Sequence, residues 1–461
     1  MDYGILSIIP IALVFIVALS TKRTLLALFT GTVGGALILG KTGIIGTWFD
    51  YFYQAFADGD AEWLILVTCL FGILVALFEQ SGAIDEFAIW IRRFVNSGRK
   101  ALVLTYILGF VIFLDDYLNN LVVGTTMKPM TDKYGIPRSK LAYVVNSTAA
   151  PVCVLIPISS WAVFFGTLLE GEDVTYNGTG IGAYIHSLPL IFYGWIALII
   201  VLLVVIGVLP PIGPMKKQTK LAQETGRVFP EGKVYDKRNE EALARVERDS
   251  GDENQKANPI NFLLPILVMI VVTIACGVDI VLGTVAAIAV MVLLMLIERK
   301  MKVFAIFDAI FDGVVSMAFV AILVILAYML QKLNTDLGLA DYVISVVQPL
   351  MKGAFLPLVV FLFCAVYAYC TGCFWDLAAI ITPLVIPLAV AMEVDPMLAG
   401  AAIFSGAAFG SNTCMYGDAM ILVSKATDME PVDNMLATLP YAVIAGGLTC
   451  IAYIIAGFAM C

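Results

Sequence analysis

Long apolar runs alternate with short polar breaks along the chain, and the lengths of those runs set its plan. A membrane-spanning helix needs about 20 mostly apolar residues. Runs of that kind cover 4–20, 24–40, 61–78, 140–169, 188–210, 259–277, 280–297, 304–330, 396–424 and 436–458, which predicts about ten spanning helices. Two further apolar regions, 101–130 and 353–392, carry a polar cluster near the middle. Each is too long for one span and predicts a re-entrant hairpin. Non-helical backbone at membrane depth is tolerated only where protein covers it or where it lines a cavity.

The order of these elements repeats. Residues 1–210 read helix, helix, helix, hairpin (101–130), interrupted helix (140–169), helix. Residues 259–461 read the same way, with the hairpin at 353–392 and the interrupted helix at 396–424. Between them lies 211–258, rich in Lys, Glu and Asp, a charged linker with helical propensity around 238–248. Threading the spans places all of the 27 Lys and Arg except Lys41, Lys332 and Lys352 on one side. The positive-inside rule makes that side cytoplasmic. Both termini then lie outside, and the first hairpin opens from the cytoplasm and the second from the exterior. Two halves of inverted topology, each with a broken helix, are a signature of secondary transporters.

Composition agrees with the pattern. Of 461 residues, 61% are hydrophobic and 14% charged, against about 45–50% and about 25% in soluble domains. The reading is an all-α, multi-pass membrane protein whose first partner is the lipid bilayer. A net charge of −9 says little about nucleic acid, which is not expected as a partner, and a single His excludes a multi-His metal site. The nine Cys are scattered through apolar runs, unlike a disulfide framework. Asp2 and the lack of a basic stretch before the first apolar run give no cleaved signal peptide.

Four polar breaks carry the candidate chemistry. The first hairpin tip holds Asp115, Asp116, Asn119 and Asn120. A charged side chain at the bilayer centre costs roughly 3 kcal/mol or more, so such groups face a cavity or an ion. The first broken helix holds Asn146, Ser147, Thr148 and Pro151, with the break expected at that proline. The second hairpin tip holds Thr371, Trp375 and Asp376. The second broken helix holds Ser405, Ser411, Asn412, Thr413 and Asp418, with Gly406 and Gly410 allowing close backbone approach or unwinding. Unwound carbonyls and hydroxyls suit a small hard cation. Sodium is therefore expected near Asp116, Asn120 and Thr148, and near Thr371, Ser411 and Thr413. Adjacent carboxylates at low dielectric do not both ionise easily, so a proton can exchange for the cation. Asp116 shares a helix face with Asn119 and Asn120, and Asp115 can instead brace the hairpin.

Plainer roles stand beside these. Ser and Thr in membrane helices often bond their own i−4 carbonyl. Either Asn can join helices, and either Asp can cap the hairpin's second arm. Cys370 and Cys373 have thiol-redox spacing but lack the soluble context of that chemistry; small residues for a tight tip are the other reading. Gly31 and Gly35 predict close helix packing. His186 lies at the external end of a helix, and Asn177 formally matches a glycosylation acceptor in an external loop.

The stretch from Phe113 to Pro151, FLDDYLNNLVVGTTMKPMTDKYGIPRSKLAYVVNSTAAP, resembles the NhaC family of sodium/proton antiporters. That family carries a similar run of paired Asp, Asn, a Met-basic-Pro segment, Thr-Asp and Ser-Thr-Ala-Ala-Pro. The likeness extends over the layout of nearly the whole chain. It implies sodium or proton coupling, a homodimer, and a moving transport domain that bears the hairpins. The late broken helix departs from the family pattern. Where the family has Gly-Asp-His-Cys-Ser-Pro-Ile-Ser-Asp, this chain has Gly410-Ser-Asn-Thr-Cys-Met-Tyr-Gly-Asp418. The final acid matches at Asp418, but Ser411 and Asn412 replace an acid and a His. A Ser-Asn-Thr run is also similar to that of sodium-coupled carboxylate transporters.

Three functions follow. The first is sodium/proton antiport by alternating access, with no enzymatic step and no cofactor beyond the coupling ions. The second is sodium- or proton-coupled transport of a small amino or organic acid, with Asn120, Thr148, Ser411, Asn412 and Thr413 holding ion and solute. The third is a membrane thiol oxidoreductase using Cys370 and Cys373.

Overall fold

The structure is a computed structural model that describes all residues except 1–2, 22–23, 41–42, 233–234, 242–243, 245–257, 277–278, 348, 350, 373, 416 and 461. The side chains of a few helical residues, Asp376 and Asp418 among them, also lie outside the described set. Regular structure among the described residues is helical, apart from one isolated bridge between Tyr176 and Thr179.

The helices of the first half run α1 (Ile9–Thr21), α2 (Thr24–Gly40), α3 (Ile44–Phe56), α4 (Gly59–Gln80), α5 (Ala83–Arg92), α6 (Gly98–Val111), α7 (Asp116–Lys133), α8 (Arg138–Cys153), α9 (Ser160–Glu170), α10 (Gly180–Ser187) and α11 (Phe192–Ile206). In the linker lies α12 (Gly213–Thr225). The second half runs α13 (Ile260–Ala275), α14 (Ile280–Ile297), α15 (Val303–Ser316), α16 (Ala318–Asp336), α17 (Leu339–Val347), α18 (Leu356–Thr371), α19 (Phe374–Ala391), α20 (Pro396–Thr413), α21 (Asp418–Ala426) and α22 (Pro431–Met460). The expected hairpins are α6–α7 and α18–α19. The expected broken helices are α8–α9 and α20–α21.

One expectation is corrected, and an alternative left open at two glycines is decided. The first break does not fall at Asn146–Pro151. Those residues lie inside α8, and the break spans 154–159. Pro151 removes only its own N–H, so α8 continues for two residues beyond it before Ser159 starts α9 as its N-cap. At Gly406 and Gly410, where close approach and unwinding were both open, α20 stays helical. A Cβ on Gly410 would lie 2.0 Å from Ala368 Cβ, and one on Gly406 2.4 Å from Cys364 Cβ. Both glycines bring α20 against the first arm of the second hairpin.

Helix length alone also does not give ten spans. Among the described residues, four helices are long and apolar enough to cross a membrane, or up to six when two bent pairs are counted. The other expected spans are broken or shorter. The run 304–330 divides at Met317 into α15 and α16, and α2 bends by 117° into the half-exposed α3.

Packing sorts the helices into two bundles, and each draws on both halves of the chain. One contains α1–α5 and α13–α17; the other contains α6–α12 and α18–α22. In the first bundle, α4 and α15 cross at Gly72 and Gly313, where either Cβ would clash with the opposing carbonyl. Gly31 and Gly35 of α2 pack against Val14, Leu330 and Leu333, the close contact expected of them. The second bundle holds all four polar breaks. The bundles meet where α16 and α17 pack on α19, where α4 packs on α9, and where α5 packs on α7.

Charged groups gather at two opposite ends. At one, Lys128 and Arg138 flank Asp428, and Arg138 also pairs with buried Asp132 at 2.5 Å. The linker folds back over this end. Val228 accepts from the Arg138 N–H, Phe229 lies under its guanidinium, and the Tyr235 hydroxyl donates to Asp433. At the other end Lys332 pairs with Asp58, and Tyr51 donates to Asp336. The helix expected around 238–248 falls mostly outside the described residues.

Candidate functional site

Asp115 stands where the first hairpin turns. Its backbone is extended, and its Oδ1 accepts from Tyr117 N (2.9 Å) and Leu118 N (3.2 Å), which makes it the N-cap of α7. Its Oδ2 accepts from Ser160 Oγ at 3.1 Å. The capping reading thus belongs to Asp115. Asp116 follows as the first residue of α7, wholly buried, and its Oδ1 accepts from Trp161 Nε1 at 3.0 Å. Both acids are therefore held by the first turn of α9. Ser160 N also donates to Leu114 O at 3.0 Å, which ties the tip to that turn by backbone.

Asn119 closes the hairpin. Its amide donates to Gly109 O (2.7 Å) and Ile112 O (2.8 Å) across the turn. Thr148 packs on the same Gly109 and donates to its own helix at Val144 O. Asn119 Oδ1 and both amide atoms of Asn120 are buried without a hydrogen-bond partner among the described residues.

A second polar hub joins the broken helices. Asn146 Nδ2 donates to Asn412 O (2.8 Å), and Ser147 Oγ donates to Asn412 Oδ1 (3.2 Å). Asn412 Nδ2 donates to the Tyr193 hydroxyl at 2.9 Å. Asn412 thus links α8, α20 and α11, and a narrow cleft lined by Tyr143, Tyr193 and Tyr441 lies beside it. Ser405 meets the Tyr453 hydroxyl at 2.7 Å. Ser411 Oγ is buried with no partner among the described residues. Thr413 and Thr371 donate to carbonyls one turn back, Phe409 O and Tyr367 O.

Aromatic rings connect the two hairpin tips. Trp161 stacks on Phe374 at 5.1 Å and meets Trp375 at 5.3 Å. The tip of the second hairpin rests on the second break, where a Cβ on Gly372 would lie 3.0 Å from Gly417 Cα. Asp376 stands in the first turn of α19 and Asp418 opens α21, positions where the helix dipole favours an acid; their side chains are outside the described set. A cavity of ≈ 40 Å³ adjoins Asp115, walled by Phe71, Tyr117, Phe164 and Trp375.

The structure so brings Asp115 and Asp116 together with α9, and Asn146 and Ser147 together with Asn412. Sequence reasoning missed Trp161, Tyr193, Tyr453 and Phe374. A signal was present for the two tyrosines: each stands in the last helix of its half, inside an apolar run, and buried tyrosine hydroxyls need a partner. Cys370 is an exposed free thiol, and Cys373 lies outside the described residues. His186 stacks on Tyr176 at 4.5 Å beside the loop after α9.

Similar proteins bear on identity. A protein of Haemophilus influenzae described as uncharacterized is 30% identical over an alignment of 491 positions, covering 98% of this chain and 91% of the relative. MtrF of Neisseria gonorrhoeae, described as illuminating a class of antimetabolite efflux pumps, has a similar fold. Its TM-score is 0.59 at 12% identity, over 90% of this chain and 85% of that one. The YdaH transporter of Alcanivorax borkumensis, described as having an unusual topology, gives 0.55 at 13% identity, over 90% and 88%. At such identities the likeness concerns the fold. Residues 152–458 match the Na+/H+ antiporter family, so this multi-pass, helical membrane protein belongs to the Na+/H+ antiporter family of secondary transporters.

Proposed function

We propose that the protein exchanges sodium for protons across the cytoplasmic membrane, the two bundles moving against each other to give alternating access. The observation that supports this most is the Asp115–Asp116 pair. One carboxylate fixes the hairpin, and the other is wholly buried with Trp161 as a hydrogen-bond donor. Asp116 is then the group for which cation and proton compete. The unpartnered oxygens of Asn119, Asn120 and Ser411 support an ion close by, since a buried acceptor left unmade costs about 1–3 kcal/mol that a bound cation offsets. Thr148 would complete the first-half sodium site, and Thr371 and Thr413 would join Ser411 in the second.

The same proposal takes 1–210 and 259–461 as repeats of inverted orientation. It places the linker face with Arg138, Lys128 and Lys425 in the cytoplasm and both termini outside, and it assembles two copies into a dimer. The clustering of basic residues at the linker end supports the sidedness.

A second reading is coupled transport of a small organic solute. It draws support from Asn412, which stands where the family has a His and is engaged in a three-helix network. In everted vesicles, antiport predicts that added sodium dequenches a pH-sensitive dye and that Asp116→Asn abolishes the response. A folded wild-type protein that gives no sodium response at neutral or alkaline pH would overturn antiport.

A further inference from the structure

We propose that the cavity beside Asp115 receives the ammonium head of a small organic cation, so that an amine is among the solutes this transporter moves. The proposal rests on the transporter reading and adds the chemistry of a cargo.

The cavity lies between the bundles. Thr68, Phe71 and Val75 come from α4 and Met317 from the α15–α16 junction, while Asp115, Phe164 and Trp375 come from the bundle of hairpins. Relative motion of the bundles would open or close this space. In the present conformation its ≈ 40 Å³ holds roughly two or three waters, which suits a primary ammonium with its body directed toward the mouth.

The walls are chemically one-sided. Asp115 is the charged residue among the described lining, and no Lys or Arg faces it there. Its carboxylate accepts three hydrogen bonds, from Tyr117 N, Leu118 N and Ser160 Oγ. An ionised carboxylate offers about four lone-pair sites, so one acceptor position remains. Four aromatic residues, Phe71, Tyr117, Phe164 and Trp375, form much of the rest. Ring faces attract cations, more strongly when the site is desolvated. Hydrated sodium gains little from such walls, because it gives up more water than the rings replace. An alkylammonium satisfies both surfaces: its N–H groups meet the carboxylate and its methylenes meet the rings. The Trp375 indole N–H, buried and without a partner among the described residues, is available to an acceptor atom on the same solute.

The test uses the purified full chain in detergent, titrated at constant ionic strength with butylammonium, butanol or butyrate. Thermal unfolding is the readout. Butylammonium is expected to raise the melting temperature in a saturable way, and butanol and butyrate are not. Trp375→Leu and Phe164→Leu, which keep the carboxylate, should each weaken butylammonium about tenfold, the share a desolvated ring contact supplies. Asp115→Asn, which keeps the helix cap, should abolish the shift. Stabilisation by butanol equal to that by butylammonium would overturn the proposal, as would unchanged affinity in both ring variants. Should a variant fail to fold, the three-ligand comparison on the wild type decides. The vesicle assay separates this inference from the reading beneath it. A sodium response with no butylammonium binding sinks the amine alone, and butylammonium binding with no sodium response sinks antiport alone.

Discussion

Asp115 and Asp116 are adjacent and chemically identical, yet the fold gives them different work. From the sequence the pair announced itself, because two acids inside an apolar run need a reason. Spacing favoured Asp116 for the site and left Asp115 to brace the hairpin, but what holds each acid was not legible. That depends on the turn, which sets Asp115 in extended backbone and Asp116 in the helix, and on Trp161, 45 residues away. The hub at Asn412 shows the same limit. Its partners Asn146, Ser147 and Tyr193 come from more than 200 residues away in sequence, and no local pattern names them. Conversely, Thr148, Thr371 and Thr413 all donate to carbonyls of their own helices, a plain role that their sequence context allowed in advance. The cap assigns a measurable cost to Asp115. Asp115→Ala removes the acceptor for two backbone N–H groups and should destabilise the protein by about 1 kcal/mol, whereas Asn, an equally good cap, should cost only about a few tenths. Chemical or thermal unfolding of the purified variants checks this; equal losses for Ala and Asn would mean that charge, not capping, is what the position needs.

At the scale of elements the polar clusters pointed to the helix breaks between α6 and α7, between α18 and α19 and between α20 and α21, because a polar cluster in the middle of a long apolar run leaves few other structures. The apolar runs did not reveal α3, α5, α10 and α17. These helices have 8 to 13 residues, too short to register in a search for spans of about 20. The position of the first helix break also escaped. Proline marks a lost hydrogen bond but not the residue at which a helix gives way, as Pro151 inside α8 shows. Glycine was ambiguous for a related reason, since the same residue permits unwinding and close approach. In α20 the second use wins. A Cβ at Gly410 meets Ala368 Cβ at 2.0 Å and its backbone within 3.0 Å, whereas Gly447 in α22 has nothing within 4 Å. Gly410→Ala should therefore force α18 and α20 apart and cost about 1–3 kcal/mol. Gly447→Ala should be neutral or slightly stabilising, since Ala favours the helix by up to about 1 kcal/mol. Comparing the two melting temperatures separates a packing role from mere helix propensity, and a neutral Gly410→Ala would refute the close-approach argument.

At the scale of the molecule the order of apolar runs suggests two successive halves, whereas packing makes two bundles that each combine helices from before and after the linker. This could not be seen from runs and charges, which order elements along the chain and say nothing of which elements meet. A side-chain contact spans the bundles at the end opposite the linker. Gln331 of α16 donates to Glu172 Oε1 at 2.6 Å, just beyond the end of α9. Burial raises the Glu172 carboxyl from its ordinary 4.5 to about 7, the neighbouring Asp173 adds to the rise, and the Gln331 amide opposes it. The sign of the consequence follows from linkage. Between pH 4.5 and about 7 the folded chain holds a proton at Glu172 that the unfolded chain releases. The stability this group contributes is therefore complete below the lower value and is lost as pH rises through the upper one. Wild-type protein should thus lose thermal stability across that window by an amount that Glu172→Gln, which stays neutral and keeps a hydrogen-bonding oxygen for Gln331, does not lose. Melting curves of the two proteins at matched pH values give the difference directly. Parallel pH profiles would show that Glu172 titrates normally and that the contact between the bundles does not depend on its protonation.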